Sequence, residues 1–319
     1  MFCIYFYKIV YKYYVNIFAN EGHGMEEILR HMPPSIHAVL KQYENTQGIN
    51  ELRLRTGNYL ILRFSGKEIV TDYLVSKEDI LNILLSISKN SIYSIQNDIN
   101  NGFLTIKGGH RVGVTGEVVL EGENIKNIKN ISSLNIRVAR QIKGAANKLI
   151  NLIIKDDNVL NTLIISPPGC GKTTMLRDLI RQISSIGKNI SLIDERGEIA
   201  SMHNGTAMLD VGFRTDVMSF CPKHIGMSLV TRSMGPDVIA TDEIGSIKDV
   251  EAIKNATGAG TSLLLTMHGK NIDDLRKNKE MFQIINDGYF DIIVFLSNKN
   301  GVGTIEKILK GKGDFNVYN

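Results

Sequence analysis

The segment that decides the interpretation of this chain is Ser166-Pro167-Pro168-Gly169-Cys170-Gly171-Lys172-Thr173-Thr174. The apolar run 162–165 before it predicts a buried strand, and the run 175–180 after it predicts a helix. A glycine-rich turn that ends in Lys-Thr between a strand and a helix is the setting of a P-loop. The segment departs from the GxxxxGK[ST] pattern only at Ser166, which stands where the first glycine is expected.

This motif predicts how a nucleotide is held. Backbone N–H groups of a P-loop point into a concavity at a helix N-terminus, where the helix dipole also favours phosphate. We expect Lys172 to reach the β- and γ-phosphates and the Thr173 hydroxyl to bind Mg²⁺, so ATP and Mg²⁺ are the predicted ligands. An ordinary glycine turn is the alternative, and both flanking segments disfavour it. The predicted nucleotide-binding residues are Pro168, Gly169, Cys170, Gly171, Lys172, Thr173 and Thr174.

Length and composition narrow the class of protein. A chain of 319 residues with 43% hydrophobic content predicts about two globular domains with a sizeable core. The net charge is only +4 and no long run of Lys or Arg occurs, so we do not expect nucleic acid as a partner. The three cysteines, Cys3, Cys170 and Cys221, are widely spaced and indicate neither a disulfide framework nor a zinc site, which fits a reducing cytoplasm.

Residues 1–24 differ in character from the rest of the chain. Residues 2–19 are almost all apolar or aromatic, but two lysines and an asparagine interrupt them. Placing these polar side chains in the centre of a bilayer costs much free energy, which disfavours a membrane-spanning helix. A basic start and an A-x-A-like site, which would indicate a signal peptide, are missing. The composition is that of AT-rich codons, and Glu21-Gly22 can be encoded by a ribosome-binding sequence. We therefore expect translation to begin at Met25, with a membrane-associated segment as the alternative.

The remaining chain divides into two predicted domains. Residues 25–145 combine short strands with a helix from Ser76, whose Ser76-x-x-Asp79 pattern resembles a capping box, and predict an α+β domain. His110 in this domain follows two glycines, and we interpret it as a turn residue rather than a ligand. Residues 146–319 alternate strands and helices, which predicts an α/β domain with a largely parallel sheet. The predicted strands there are 162–166, 189–194, 237–242, 261–267, 290–297 and 303–309, and the predicted helices are 172–186, 223–234, 246–257 and 277–286.

Acidic and polar residues follow several of these strands, where ligands of parallel sheets bind. An apolar strand ends in the two carboxylates of Asp242 and Glu243. At such a strand end, Asp242 can support the water shell of Mg²⁺, and Glu243 can orient or deprotonate the attacking water. Asp194 and Glu195 end the preceding strand and can help to position water or Mg²⁺. His268 ends the next strand and can sense the γ-phosphate or contact the acidic residues. For each group, an ordinary strand end or helix cap is the alternative.

Five arginines are further candidates for contacts with phosphate or with a neighbouring subunit. Arg111, Arg137 and Arg140 belong to the predicted N-terminal domain, and Arg214 and Arg232 belong to the C-terminal one. The alternative is a solvated sheet face for the first three and surface salt bridges for the other two.

Together these motifs resemble the ATPases of type II and type IV secretion systems. In those enzymes an Arg-x-x-Pro-Asp segment leads into a strand that ends in Gly-Glu. Here Arg232 is followed by Ser-Met-Gly-Pro-Asp, with one more residue before the proline, and the strand ends in Asp242-Glu243. Asp194-Glu195 is similar to their acidic box, and Thr266-Met267-His268 is similar to their His box.

Three segments more closely resemble the stage III sporulation protein AA family. They are Gly-Gly-His-Arg-Val-Gly at 108–113, Ile-Ser-Ser-Leu-Asn-Ile-Arg-Val-Ala at 131–139, and the P-loop at 166–174. The resemblance covers nearly all of 25–319 and makes Ser166 a feature of the family rather than a defect of the motif. Residues 1–24 have no counterpart in it.

The resemblance implies a RecA-like P-loop ATPase domain with a smaller α+β N-terminal domain that covers the nucleotide. It also implies a homo-oligomer, a hexamer, at the cytoplasmic face of a membrane-embedded sporulation channel between mother cell and forespore. Arg111, Arg137 and Arg140 are then expected to contact phosphate or a second subunit. Two other functions stay open: a nucleotide-gated scaffold with negligible turnover, and a nucleic-acid motor, which the lack of a basic stripe interleaved with aromatic residues disfavours.

Overall fold

The computed structural model describes residues 24–43, 48–64, 66–311 and 316–318. They divide into two compact units. The N-terminal unit contains the described residues up to Arg140 together with Ser201–Met208, and the C-terminal unit contains Gln141–Ala200 and the described residues from Leu209 onward. The predicted extra segment, residues 1–24, lies outside the described residues except for Gly24. Within the described ranges, no helix has both the length and the apolar character that crossing a bilayer requires.

The N-terminal unit is an α+β structure. Its helices are α1 (Gly24–Arg30), α2 (Pro34–Lys41), α3 (Lys77–Ile87) and α4 (Gln96–Asn100). Its main strands are β1 (Ile49–Arg55), β2 (Tyr59–Phe64), β3 (Lys67–Leu74), β4 (Phe103–Thr105), β5 (Arg111–Glu121) and β6 (Asn124–Arg137). They form a six-stranded sheet in the order β3-β2-β1-β6-β5-β4, in which every neighbouring pair is antiparallel. Strand β6 is 14 residues long because it pairs with β5 along a long hairpin.

Side-chain alternation gives this sheet one apolar face and one charged face. Leu52, Ile136 and Val112 lie side by side on three neighbouring strands and are fully buried in the core. On the opposite face, Arg137 of β6 lies between two paired residues, Glu51 on β1 and Arg111 on β5. Arg111 and Arg137 therefore lie on the face away from the apolar core.

Helix α3 begins as the sequence predicts. The Ser76 hydroxyl accepts a hydrogen bond from the Asp79 N–H at 3.1 Å, and the Asp79 carboxylate accepts one from the Ser76 N–H at 2.8 Å. This reciprocal pair satisfies two N–H groups that the first turn leaves unpaired. Ile80, Ile83 and Leu84 then pack into the core of the unit.

His110 is a buried residue whose imidazole is used structurally. Its Nδ1 accepts a hydrogen bond from the Ala139 N–H at 3.0 Å, so the ring proton is on Nε2. Nε2 is buried and has no hydrogen-bond partner among the described residues. Burial, aided by repulsion from His31, lowers the pKa of His110 to about 4. The ring is therefore neutral at physiological pH.

This burial predicts acid sensitivity of the N-terminal unit. An unfolded histidine binds its proton near pH 6.5, whereas folded His110 does so only near pH 4, so stability present above pH 6.5 is lost as the pH falls through that window. The expected loss is about 3 kcal/mol of unfolding free energy. Denaturant titrations from pH 7 to pH 4.5, followed by hydrogen exchange in this unit, measure it. His110→Gln keeps an acceptor for the Ala139 N–H and should flatten the pH dependence, and parallel curves for variant and wild type would contradict the assignment.

The C-terminal unit is an α/β structure. Its helices are α5 (Asn147–Ile153), α6 (Lys172–Ser185), α7 (Lys223–Ser233), α8 (Ile247–Gly258), α9 (Ile272–Lys277) and α10 (Lys279–Asn286). Strands β7 (Ile154–Lys155) and β8 (Asn158–Val159) form a small hairpin. The strands of its main sheet are β9 (Thr162–Ser166), β10 (Ile190–Asp194), β13 (Thr215–Ser219), β14 (Val238–Thr241), β15 (Ser262–His268), β16 (Ile292–Ser297), β17 (Thr304–Lys310) and β18 (Asn316–Tyr318).

This eight-stranded sheet has the order β13-β10-β14-β15-β9-β16-β17-β18. All pairs from β13 to β16 are parallel, and the last two pairs are antiparallel. The prediction of a largely parallel α/β sheet is confirmed. Strand β15 lies between the P-loop strand β9 and strand β14, so the two motif-bearing strands are separated in space by the strand that ends in His268.

A third hairpin interrupts the C-terminal half of the sequence. It consists of β11 (Met202–His203) and β12 (Thr206–Ala207), which pair antiparallel between β10 and β13 in chain order. The hairpin belongs to the N-terminal unit, where the His203 Nδ1 lies 3.0 Å from the carbonyl oxygen of Thr105. The sequence does not predict it, because its strands are only two residues long.

Candidate functional site

The candidate site lies at the C-terminal edge of the parallel sheet. Strand register pairs Ser166 with His268, and it pairs Thr241 with both Ile193 and Leu265. Because these parallel strands end at the same edge, the P-loop, the acidic strand ends and His268 all emerge there. The fold therefore brings together the residues that the sequence assigns to phosphate, Mg²⁺ and water.

The P-loop has the backbone that phosphate binding requires. Gly169 and Gly171 have φ values of +73° and +87°, in the left-handed region that favours glycine. A Cβ at Gly171 would also lie only 3.0 Å from Val302 and 3.2 Å from the Gly303 nitrogen, so no other residue fits without a shift. Gly171 is the N-cap of α6, which leaves the first N–H groups of that helix directed into the loop.

Lys172 lies within this loop and is nearly buried, with 7% of its surface exposed. Its ammonium donates to the carbonyl oxygens of Ser166 at 3.1 Å and Pro167 at 3.4 Å. Burial lowers its pKa, and the negative charges of Glu243 and Asp242 act in the opposite direction. The two carboxylates of the predicted hydrolytic pair therefore favour the charged form of Lys172.

Ser166 fits the position of the first motif glycine without strain. It is the last residue of β9, is fully buried, and does not have a positive φ. Its hydroxyl donates to the Pro167 carbonyl at 2.8 Å, so the side chain is satisfied locally. A glycine is consequently not needed here.

Asp242 carries a buried carboxylate at this edge. Its side chain is 5% exposed, and none of the described residues forms a hydrogen bond or ion pair with it. Burial, with Asp194 as the next contribution, raises its pKa to about 6. A buried carboxylate without a partner is costly, and a divalent cation is the partner that removes this cost. The Asp242 carboxylate thus fits the predicted role at Mg²⁺.

Glu243 has a strained backbone and an engaged side chain. Its φ is +46°, which is uncommon for a residue other than glycine. Its N–H donates to the Thr266 hydroxyl at 2.9 Å, which fixes this conformation from strand β15. Its carboxylate Oε2 lies 2.8 Å from Nη1 of Arg196, a residue that the sequence interpretation did not single out.

Asp194 holds the segment 195–200, which we call the acidic loop. Its fully buried carboxylate accepts hydrogen bonds from the N–H groups of Glu198, Ile199 and Ala200, at 2.9–3.1 Å. From helix α6, the buried guanidinium of Arg177 donates to the Glu198 and Ile199 carbonyls, each at 2.6 Å. Burial lowers the pKa of Arg177 to about 10, so it stays charged. Asp194 therefore fixes the position of this loop in addition to raising the pKa of Asp242.

The other two predicted site residues differ in their surroundings. Glu195 forms an ion pair with Lys223, the first residue of α7. His268 is exposed at the end of β15 and lines a cavity of about 510 Å³ together with Gly245, Asp274 and Asn278, among others. No residue of the P-loop lines this cavity, so His268 faces a second space beside the phosphate site.

The five candidate arginines do not join this edge within the C-terminal unit. Arg214 precedes β13, and Arg232 lies near the end of α7, so both are at the opposite, N-terminal edge of the sheet. Arg214 contacts Asn189 at 3.4 Å, and Arg232 donates to the Ser228 carbonyl at 3.2 Å. In the N-terminal unit, Arg111 stacks on the Phe103 ring at 3.6 Å, and Arg140 donates to the Ile49 carbonyl at 3.1 Å. Arg137 is exposed.

Comparison with known proteins shows the family to which the chain belongs. Residues 23–315 match the family described as sporulation stage III, protein AA. The stage III sporulation protein AA of Bacillus subtilis (strain 168) is 37% identical over 297 residues, which cover 91% of this chain and 96% of that protein. This chain belongs to the stage III sporulation protein AA family.

Solved structures give the fold of this stage III sporulation protein AA family member. The Legionella pneumophila ATPase DotB superposes with a TM-score of 0.57 at 15% identity, covering 83% of this chain and 76% of that one. The pilus retraction motor PilT, solved with bound ADP, gives a TM-score of 0.57 at 16% identity, covering 81% and 76%. The fold is that of RecA-like P-loop secretion ATPases, preceded by a smaller α+β part, and both the predicted fold class and the resemblance are confirmed.

The anchoring of the acidic loop in this family member gives a stability prediction. Asp194→Ala removes the acceptor of three buried N–H groups, so we expect the C-terminal unit to lose about 3 kcal/mol of unfolding free energy. Asp273→Ala is the matched control, because that carboxylate is 71% exposed and pairs only with Arg276 among the contacts described. Denaturant unfolding measures both variants. Equal, small losses would show that the loop does not depend on Asp194.

Proposed function

We propose that this chain is a Mg²⁺-dependent ATPase. The observation that carries the proposal is the position, at one sheet edge, of a P-loop with a nearly buried Lys172, a buried Asp242 that has no hydrogen bond or ion pair with the described residues, and the adjacent Glu243. A phosphate loop alone supports nucleotide binding, whereas the two carboxylates beside it support hydrolysis.

Binding rests on the P-loop. Residues 169–174 would supply backbone N–H donors, and Lys172 would supply a cation for the β- and γ-phosphates. The Thr173 hydroxyl and the Asp242 carboxylate are the groups that would hold Mg²⁺. Bound Mg²⁺ would neutralise charge that develops on the phosphate oxygens. The described residues contain no cluster of three or more His, Cys, Asp or Glu that could ligate a metal, and an ion shared with phosphates and water does not need one.

Hydrolysis rests on Glu243. Its carboxylate would orient a water molecule and accept its proton as the water attacks the γ-phosphorus. Asp194 and Glu195 would keep the acidic loop beside this water, Asp194 through its hydrogen bonds to residues 198–200 and Glu195 through Lys223. His268, at the end of the strand between the P-loop and Asp242, would respond to the γ-phosphate.

The family and the fold support a cellular setting for this activity. We infer an assembly or motor ATPase that works as a homo-oligomer, a hexamer, at the cytoplasmic face of the inner membrane on the mother-cell side. Its partners would be membrane-embedded proteins of a secretion-like sporulation channel facing the forespore. In such a ring, Arg111, Arg137, Arg140, Arg214 and Arg232 are candidates for contacts with phosphate or with the next subunit.

One experiment tests the activity and its alternatives together. Purified full-length protein is assayed for phosphate release with ATP and Mg²⁺, with EDTA, and with added single-stranded DNA, while its mass is measured with and without nucleotide. We expect Mg²⁺-dependent release and a nucleotide-dependent assembly. Tight ATP binding and assembly without release, also with membrane partners present, would instead support a nucleotide-gated scaffold. Stimulation by single strands that declines with salt would support a nucleic-acid motor.

A further inference from the structure

The ion pair between Arg196 and Glu243 is the contact from which we infer a further feature. The guanidinium Nη1 lies 2.8 Å from the carboxylate Oε2, and the two side chains are 59% and 37% exposed. The pair thus joins the acidic loop after β10 to the residue that follows Asp242, across 47 positions of sequence. It occupies an oxygen of the carboxylate to which we assign the attacking water.

The acidic loop presents Arg196 from a fixed backbone. Asp194 and Arg177 hold the residues that follow Arg196, through the hydrogen bonds to Glu198, Ile199 and Ala200. Gly197, the next residue, has a φ of +67°, and a Cβ there would lie 2.9 Å from the Phe220 ring. On the other side, Glu195 is paired with Lys223. The Arg196 side chain therefore extends from a loop whose backbone is held on both sides.

Glu243 is held in a comparable way. Its left-handed backbone is fixed by the hydrogen bond of its N–H to Thr266, so its carboxylate can change partners only by side-chain rotation. A guanidinium at 2.8 Å competes with water for that carboxylate, because an oxygen that accepts from Arg196 accepts less readily from a water molecule.

We propose that Arg196 restrains Glu243, so that the Arg196–Glu243 pair must open before the carboxylate can act on water. Arg196 is thus a positioning residue that keeps basal turnover low. This inference rests on the proposed ATP hydrolysis and adds a regulatory contact to the same site.

The test compares Arg196→Ala and Arg196→Lys with wild type in the full-length protein. We expect Arg196→Ala to raise kcat about two- to fivefold, the range that a half-exposed ion pair supports, with ATP affinity within about twofold of wild type. Arg196→Lys keeps the charge and should return kcat towards wild type. Arg276→Ala is the matched control, because Arg276 forms an ion pair of 2.9 Å with Asp273 at 60% exposure and should leave kcat unchanged. A kcat for Arg196→Ala equal to or below wild type would overturn the restraint.

A second measurement separates this inference from the proposed function. If all variants bind ATP and none releases phosphate, the proposed hydrolysis fails. The pair is then judged by a double-mutant cycle of Arg196→Ala and Glu243→Ala on thermal unfolding without nucleotide and with saturating ATP, because each substitution removes the ion pair completely. Coupling that is present without nucleotide and absent with ATP supports a pair that opens. Additivity in both conditions overturns it.

Discussion

Replacing Lys172 with alanine is expected to weaken ATP binding by about 100-fold, or about 2.7 kcal/mol. Lys172 is the nearly buried cation of the P-loop, and its ammonium already lies within hydrogen-bond distance of two loop carbonyls. Charge-assisted hydrogen bonds to phosphate oxygens are strong, and alanine cannot replace them. Isothermal titration calorimetry with ATP and Mg²⁺ measures the effect.

The same substitution should leave the fold intact. Among the described residues, the ammonium donates hydrogen bonds only to the carbonyls of Ser166 and Pro167, and its lowered pKa reflects a burial cost that alanine removes. Lys277→Ala is the matched control, since that lysine is 77% exposed in the same unit and pairs with Asp274. ATP affinity for Lys172→Ala within about threefold of this control would rule out Lys172 as the phosphate ligand.

The local parts of this fold could be predicted because their signals are short-range. The strand, turn and helix around the P-loop need only an apolar run, glycines at positive φ and helical spacing, and they appear as β9 and α6 within one residue of the predicted bounds. The capping box at Ser76 and the alternation of strands and helices are of the same kind. The edge position of Asp242, Glu243 and His268 then follows, because parallel strands end together.

Elements with weak or mixed signals were missed. Strand β13 (Thr215–Ser219) contains two apolar residues among polar ones and lies at the sheet edge, so it has no clear strand pattern. The predicted helix 277–286 is α10 and begins two residues later, because the Asn278 side chain accepts from the Met281 N–H, whereas the short helix α9 before it was not predicted. Asn271 caps α9 in the same way.

The contacts that organise the site were beyond prediction for a different reason. Arg177 with the acidic loop, Lys223 with Glu195, and Arg196 with Glu243 each join residues from separate elements. No periodicity or spacing marks such pairs, and a charged residue on a helix or loop is usually solvated. The sequence identifies the candidate reacting groups, whereas the residues that contact them become visible only in the folded chain, where strands distant in sequence are neighbours.

Replacing Glu243 with glutamine is expected to lower kcat for ATP hydrolysis by about 100-fold or more, because a positioned general base contributes about that much. Glutamine keeps the shape of the side chain and can still accept from Arg196, but it cannot take the proton of the attacking water. ATP affinity should stay within about threefold of wild type, since Lys172 and the P-loop amides are unchanged. Phosphate release and calorimetry measure the two quantities separately.

The identity of the nucleotide that stays bound to the protein shows which step fails in the Glu243→Gln variant. Glu243→Gln should retain ATP, whereas wild type should retain ADP, and chromatography of the released nucleotide distinguishes them. Glu251→Gln on the exposed side of α8 is the matched control and should behave as wild type. A Glu243→Gln kcat within threefold of this control would remove Glu243 from the reaction. Loss of turnover with ATP still bound would place the defect at the attack of water on the γ-phosphorus. That step needs the Glu243 carboxylate, whereas the P-loop by itself only binds the nucleotide.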